Sequence, residues 1–417
     1  MEAPEELTAM DWWDKVEWSS MHSPTTTFPK VPLPLQSALA TLRERIAHGA
    51  AKVAGTAEEV RYLKAFFFLD RLLFSSIKSR GGKRGQKGES ISTAISRRIC
   101  HAWGGEWERL WEDSASPSAR NQKSSKESSA QILARDVKSI QEALGDDDIR
   151  AAMRIVDGRQ SMAPEQKALN YLPSLFPTAP LPTPAIGDPD PDDIARFEEE
   201  LIKAYRYAPR KRGAGPGGTR GEHWEWMPLH PFAWQQCAAL LLRVALGRIP
   251  EESLGYIHSG RVLALDRPEH DKVRPLALGN LHRRLISKAI TKTFTARVQE
   301  VLGESEYSLG SNGAAEGMHK AVLVDLDQRP NAVKASFDIS NAHNEFCREA
   351  AVKEVQTHIP TMLPWLKGHL VTDVSHVYLG DDGTHHTISN SIGADKGDAV
   401  PAFLYRPLIH SSTPTSP

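Results

Sequence analysis

"HVYLGDDGTHHTIS", His376–Ser389, sets a tyrosine just ahead of two adjacent aspartates. The fold depends on whether those carboxylates hold a metal or only turn the chain. Asp382-Gly383 is a tight-turn pair between "DVSHVYL" and "THHTIS", so the stretch predicts an antiparallel hairpin. His385 and His386 follow at once. Adjacent residues on a strand point to opposite faces and make a poor joint metal site. A hydrolytic centre using Asp381, Asp382 and these histidines would need all of them to converge on one ion.

Composition narrows the classes. At 417 residues the chain allows two or three domains, at about 100–200 residues each. Lys plus Arg, 51, nearly cancels Asp plus Glu, 52, so net charge names no nucleic-acid or membrane partner and local clusters must carry that argument. Cys100, Cys237 and Cys347 are far apart with no C-x-x-C pair, which excludes a zinc finger or knuckle and fits a reducing compartment. The start, "MEAPEELTAMDWWDKVEW", lacks the basic-then-apolar order of a secretory signal. The most apolar run, "AFFFLDRLLF", is too short to span a bilayer and is broken by Asp70 and Arg71. No membrane association is expected, and an intracellular protein of nucleus or cytoplasm is the default.

Along the chain, residues 1–110 read as a weakly ordered region that becomes basic. "PLQSALATLRERIAHGAAKV" is its clear helical candidate, with Leu35, Leu39, Leu42 and Ile46 at helical spacing. Lys78, Arg80, Lys83, Arg84, Lys87, Arg97 and Arg98 stand against the single acid Glu89 and offer a phosphate-binding surface. Residues 111–171 read as a polar connector with two short helices, "AQILARDVKSIQEAL" and "DDDIRAAMRIVDG". Residues 172–192 are dense enough in proline to exclude helix and interior strand, which marks a linker. Beyond it, helical and strand patterns alternate.

Four segments after the linker carry chemistry. "RKRGAGPGGTRGEHWEWM" runs three cations into a glycine-rich loop, where backbone N–H groups can approach a phosphate or the chain can simply turn. In "DKVRPLALGNLHRRLISKAITKTFTARVQEVL", Lys272 and Arg274 lie on a strand-like stretch. A Gly279-Asn280 turn leads into a helix carrying Arg283, Arg284, Lys288, Lys292 and Arg297. Its leucines, isoleucines and Phe294 form an apolar face, which leaves the cations to project. In "NAVKASFDISNAHNEFCREAAVKEV", Val333, Ala335 and Phe337 alternate with polar residues up to Asp338. A carboxylate at such a strand end is placed to hold a divalent cation or to cap the following helix. "SIGADKGDAVPAFLYRPLIH" is a polar loop entering an apolar helix.

In this order the segments resemble the fingers and palm of reverse transcriptases of the non-LTR, LINE-type retrotransposons, over about half the chain (Pro191–Ile409). "GAGPGGTRGEHW" looks like the loop that opens the fingers, and "VRPLALGNLHRRLISKAI" is similar to the family's fingers segment. The resemblance implies an α+β right-hand polymerase fold, with fingers at 193–302 and an incomplete palm at 303–417. Lys272, Arg274, Arg284 and Lys288 would lie near the incoming triphosphate and template. "ASFDISNAHNEF" resembles motif A, with Asp338 as catalytic residue and Mg²⁺ ligand. His343 stands where the family keeps the aromatic that excludes a ribose 2′-hydroxyl. "GADKGD" resembles motif B, with Lys396 in place of glutamine and Gly397-Asp398 as its G-D pair.

The implied partners are RNA template, DNA primer and deoxynucleoside triphosphates. The family's chemistry uses two metals about 3.5–4 Å apart, and their further carboxylates come from a Y-x-D-D hairpin after motif B. "YLGDDGTHH" precedes "GADKGD" and has one residue too many between Tyr378 and the aspartates, so it reads as the ordinary palm hairpin. The chain is therefore expected to be a truncated polypeptide of RNA-directed DNA polymerase ancestry that is not a competent polymerase as it stands. The alternative is a non-catalytic nucleic-acid-binding remnant.

Overall fold

The computed structural model describes residues 6–23, 25–75, 89–114, 162–210, 215–267, 272–303, 313–329, 341–395 and 398–400, with isolated positions 137, 141, 309, 331, 333, 334, 403 and 404. The N-terminal part forms α1 (Gln36–Lys52), α2 (Glu59–Phe74), α3 (Ile91–Trp103) and α4 (Trp107–Ser114). Then come α5 (Glu165–Leu175), α6 (Pro191–Arg206), α7 (Pro231–Ala245) and α8 (Glu251–His258). The hairpin β1 (Gly260–Arg267) and β2 (Lys272–Gly279) runs into α9 (Leu281–Leu302), followed by α10 (Ala314–Gln328) and α11 (Arg348–His358). A second hairpin, β3 (Val374–Leu379) and β4 (His385–Asn390), completes a mixed sheet in the order β2-β1-β3-β4. The fold is α+β and mostly helical.

Residues 6–23 and 25–75 fold into helices and short turns, contrary to the sequence expectation of a weakly ordered region. Trp13, Trp18 and Met21 are buried with α1 and α2 in the core that also holds α6, α7 and α9. These aromatics sit in short 3-10 segments, Met10–Lys15 and Trp18–His22, which have no periodic signal to read, yet their large area dominates the packing. A buried ion pair ties the two halves together. Arg43 meets Asp70 at 2.6 Å and donates to the His223 carbonyl at 2.8 Å, while Trp224 Nε1 donates to Asp70 at 2.8 Å.

The glycine-rich loop is part of the same joint. Gly217 and Gly218 have positive φ, and a Cβ on Gly218 would stand 2.9 Å from Thr27 Cγ2. Their backbone freedom serves close packing against the N-terminal region.

The proline-rich stretch also differs from expectation. Helix α5 continues through Pro173 to Leu175. The missing N–H there costs one hydrogen bond, two residues from the helix end. Residues 177–190 then run without regular structure, and Pro191 starts α6 behind the cap Asp190. One hydrophobic core includes residues from both sides of this stretch, and the sheet draws strands from both sides of residue 303. The two short helices expected between residues 130 and 158 lie outside the described residues, apart from helical positions 137 and 141.

The hairpin at the opening stretch is present. Val374–Leu379 pairs antiparallel with His385–Asn390, with Tyr378 opposite His386 and Leu379 opposite His385. Gly383 takes φ 87°, and Asp382 accepts from Thr384 N–H and from its hydroxyl, both at 2.7 Å. Both aspartates lie in the exposed turn.

Candidate nucleic-acid interface

Helix α9 begins with Asn280, whose side chain accepts from Arg283 N–H at 2.8 Å and donates to the Ile257 carbonyl at 2.7 Å. Its apolar residues, from Leu281 to Leu302, face the core. The expectation that its cations project fails for two of them. Arg297 pairs with Asp193 at 2.6 Å, and Arg283 is buried. Lys288 and Lys292 are exposed and Arg284 is half-buried, at four-residue intervals along the helix.

The β1–β2 hairpin sorts its side chains cleanly by strand alternation. Val262, Ala264 and Val273 face α5 in a small core. The other face carries Arg261, Leu263, Leu265 and Arg267 opposite Leu278, Leu276, Arg274 and Lys272. Four cations thus surround four half-buried leucines, and no acid lies on that face. Asp266 points the other way, to Lys167 at 3.0 Å.

The segments expected to form separate motifs meet at a buried polar knot. Arg283 reaches Asp395 at 2.5 Å and Asp398 at 2.9 Å, and it also donates to the His258 carbonyl. Asp395 holds His376 Nε2 at 2.6 Å and accepts from the Asn390 amide at 3.0 Å. Gly260 N–H donates to His376 Nδ1 at 3.0 Å, so the ring proton sits on Nε2 and is given to Asp395. Burial pushes the Asp395 carboxyl up, but Arg283 and His376 together hold it well below the usual range. Burial likewise lowers His369 to about 4 and depresses His258 strongly, leaving both neutral.

Around the knot, Arg348 donates to the Gly393 and Asn390 carbonyls at 2.8 and 2.9 Å, and Ala394 N–H donates to the His343 carbonyl at 2.7 Å. Gly393 has φ 60°, and a Cβ there would stand 2.3 Å from the Asn344 carbonyl carbon.

Asp398, expected near nucleotide, is therefore spent on Arg283, with its side chain 4% exposed. His343 joins the knot through its backbone. Lys272 and Arg274 share one strand face, and Arg284 and Lys288 share one helix face. Asp338, Lys396 and Gly397 lie outside the described residues. Val333, expected to face inward on a strand, is in none and is 91% exposed.

Arg283, Asp395 and His376 were not singled out from sequence. Arg283 lies in a run of cations, and its acidic partners are more than 110 residues away.

In the N-terminal basic segment, Arg97 pairs with Glu89 and Asp113, and Arg98 donates to the Leu73 and Ser75 carbonyls. Neither is free for a phosphate. Lys78, Arg80, Lys83, Arg84 and Lys87 lie outside the described residues.

Among the described residues, no group of three or more His, Cys, Asp and Glu gathers as a metal site would need, and no helix is long and apolar enough to cross a membrane. His386 lies 3.7 Å from Glu165 and close enough to Asp382 to act on it, but with His385 and Asp381 these groups do not gather as a metal site would need. No protein-family model and no curated protein matches the chain.

Proposed function

We propose that this chain is a reverse-transcriptase-like polypeptide of the LINE type, whose fingers and palm segments bind nucleic acid. The observation that carries the reading is the knot. Two segments that resemble separate family motifs, at Arg283 and at Asp395 and Asp398, are far apart in sequence and meet in buried ion pairs, and the His343 carbonyl accepts from Ala394 N–H next to them. A polymerase site needs such convergence, because its nucleotide contacts come from distant parts of the chain.

Asp338 would be the Mg²⁺ ligand of this reading, and the metal would activate a primer hydroxyl and neutralise the triphosphate. The residues of this chain bind and orient: Lys272, Arg274, Arg284 and Lys288 supply charge for phosphates. The second reading, a binding remnant without catalysis, is favoured by the exposure of Lys272, Lys288 and Lys292.

Primer extension on an RNA template with Mg²⁺ and deoxynucleoside triphosphates, alongside Asp338→Ala, tests the pair. Synthesis that depends on Asp338 would support the polymerase reading, and equal background synthesis by both would remove it and leave the binding reading. Binding that does not weaken with salt would remove both readings, since lysine and arginine contacts to phosphate release counterions.

A further inference from the structure

The mixed sheet has two edges, and they are defended differently. The outer strand β2 carries Lys272, Arg274 and Pro275. Cations and proline are the usual means by which an edge refuses a further strand. The opposite edge, β4, reads HHTISN. It holds no lysine, arginine, carboxylate or proline, and it pairs with β3 in unbroken register from His385 to Asn390, without a bulge.

The backbone groups that β4 turns outward follow from the hairpin. Gly380 N–H donates to the Thr384 carbonyl at 2.9 Å, and ladder bonds alternate from that pair. His386, Ile388 and Asn390 therefore bond to β3, while His385, Thr387 and Ser389 turn their N–H and C=O groups away from it. Among the described residues no backbone group meets them on that side. The side chains of these three residues are exposed.

A cleft of ≈ 350 Å³ runs beside this edge, next to α8. Its strand residues, Ser375, Val377, His385 and Thr387, come from β3 and β4, so it lies toward the β4 side of the sheet. Glu251, Glu252 and Asp373 also line it, and among the described residues no lysine or arginine does. Lys367 lies 3.8 Å from Glu251. Glu252 and Asp373 form no ion pair among the described residues.

We infer that β4 is a docking edge for an extended peptide of a partner protein that carries lysine or arginine at alternate positions. Such a peptide adds a strand beside β4 through the outward groups of His385, Thr387 and Ser389, and every second side chain then points over the cleft. There the stem of a lysine lies along Val377 and Tyr256, which both line the cleft, and its ammonium reaches the carboxylates. Nucleic acid does not suit this surface, since three carboxylates repel phosphate. Nor does a second copy, because pairing β4 antiparallel with β4 sets one acidic cleft beside the other. The docking edge is thus separate from the cations of the proposed nucleic-acid interface and does not depend on that reading.

The test titrates the full chain against a fluorescein-labelled peptide of alternating lysine and threonine, read by anisotropy. The counterpart with glutamate in place of lysine is expected to bind at least about ten-fold more weakly; equal affinity would overturn the inference. N-methylating either the lysine amides or the threonine amides removes the donors that face β4 in one of the two strand directions. One of these two peptides is expected to bind at least about ten-fold more weakly than the parent peptide, and parent-like binding of both would overturn strand addition without any change to the protein.

Thr387→Pro removes one outward N–H and no ladder bond to β3. It is expected to weaken peptide binding several-fold with an unchanged urea midpoint, and unchanged affinity would count against the edge. If Thr387→Pro instead abolished self-association of the chain, or its binding of oligothymidylate, a second copy or nucleic acid would be the occupant and the inference would be overturned.

Discussion

Replacing Asp395 by asparagine removes one charge from the centre of the polar knot and little volume. The carboxylate is 4% exposed and holds Arg283 at 2.5 Å and His376 at 2.6 Å. Breaking a buried pair by removing one partner costs about 3–5 kcal/mol, because the other charge is stranded. Asp398 still holds Arg283 at 2.9 Å, so the expected loss is at the low end, about 3 kcal/mol.

With a urea slope of about 3 kcal/mol/M, the midpoint falls by about 1 M, read from the fluorescence of the ten tryptophans. Arg283→Met combined with Asp395→Asn should cost less than the sum of the two alone, by about 1–3 kcal/mol. The acid limb gives the sign. The folded-state pKa of Asp395 lies below its unfolded value, so its stabilisation is present above about pH 4 and is lost as pH falls through the folded value. Asp395→Asn should therefore flatten the acid limb. A midpoint shift under about 0.2 M, or strict additivity, would refute the reasoning.

Gly393→Ala should destabilise by more than about 1 kcal/mol, because its φ is 60° and the new Cβ would meet the Asn344 backbone at 2.3 Å; a neutral urea midpoint would count against it. Lys288→Ala with Lys292→Ala should weaken nucleic-acid binding alike across sequences and reduce the salt slope by about one unit per lost phosphate contact; titrations at several salt concentrations measure it. Asp381→Asn with Asp382→Asn should leave Mg²⁺ binding unchanged by calorimetry, since these carboxylates lie in an exposed turn and Asp382 is committed to Thr384. A lost binding event would restore the metal reading of that turn.

Local signals were legible where chemistry and neighbours in sequence coincide. Asp382-Gly383 announced the hairpin because a tight turn needs only adjacent residues, and Gly279-Asn280 announced the start of α9 for the same reason. The apolar period of α9 identified its buried face. The same period could not say that Arg283 leaves the cationic set, because a charge is neutralised by whatever lies beside it in space. Asp395 and Asp398 come from the far end of the chain. Trp13 and Trp18 were missed as core because 3-10 turns impose no period that a sequence pattern can display.

By itself the sequence determined the Asp382-Gly383 hairpin turn, the start and apolar face of α9 and the order of the segments that resemble a polymerase. Only the tertiary structure decided which cations are exposed and which are buried in ion pairs, and that the N-terminal region shares the main core. Turns and periods are properties of neighbours along the chain. Burial and charge compensation depend on neighbours in space, which here lie as many as 237 residues apart, as for Ser259 and His22.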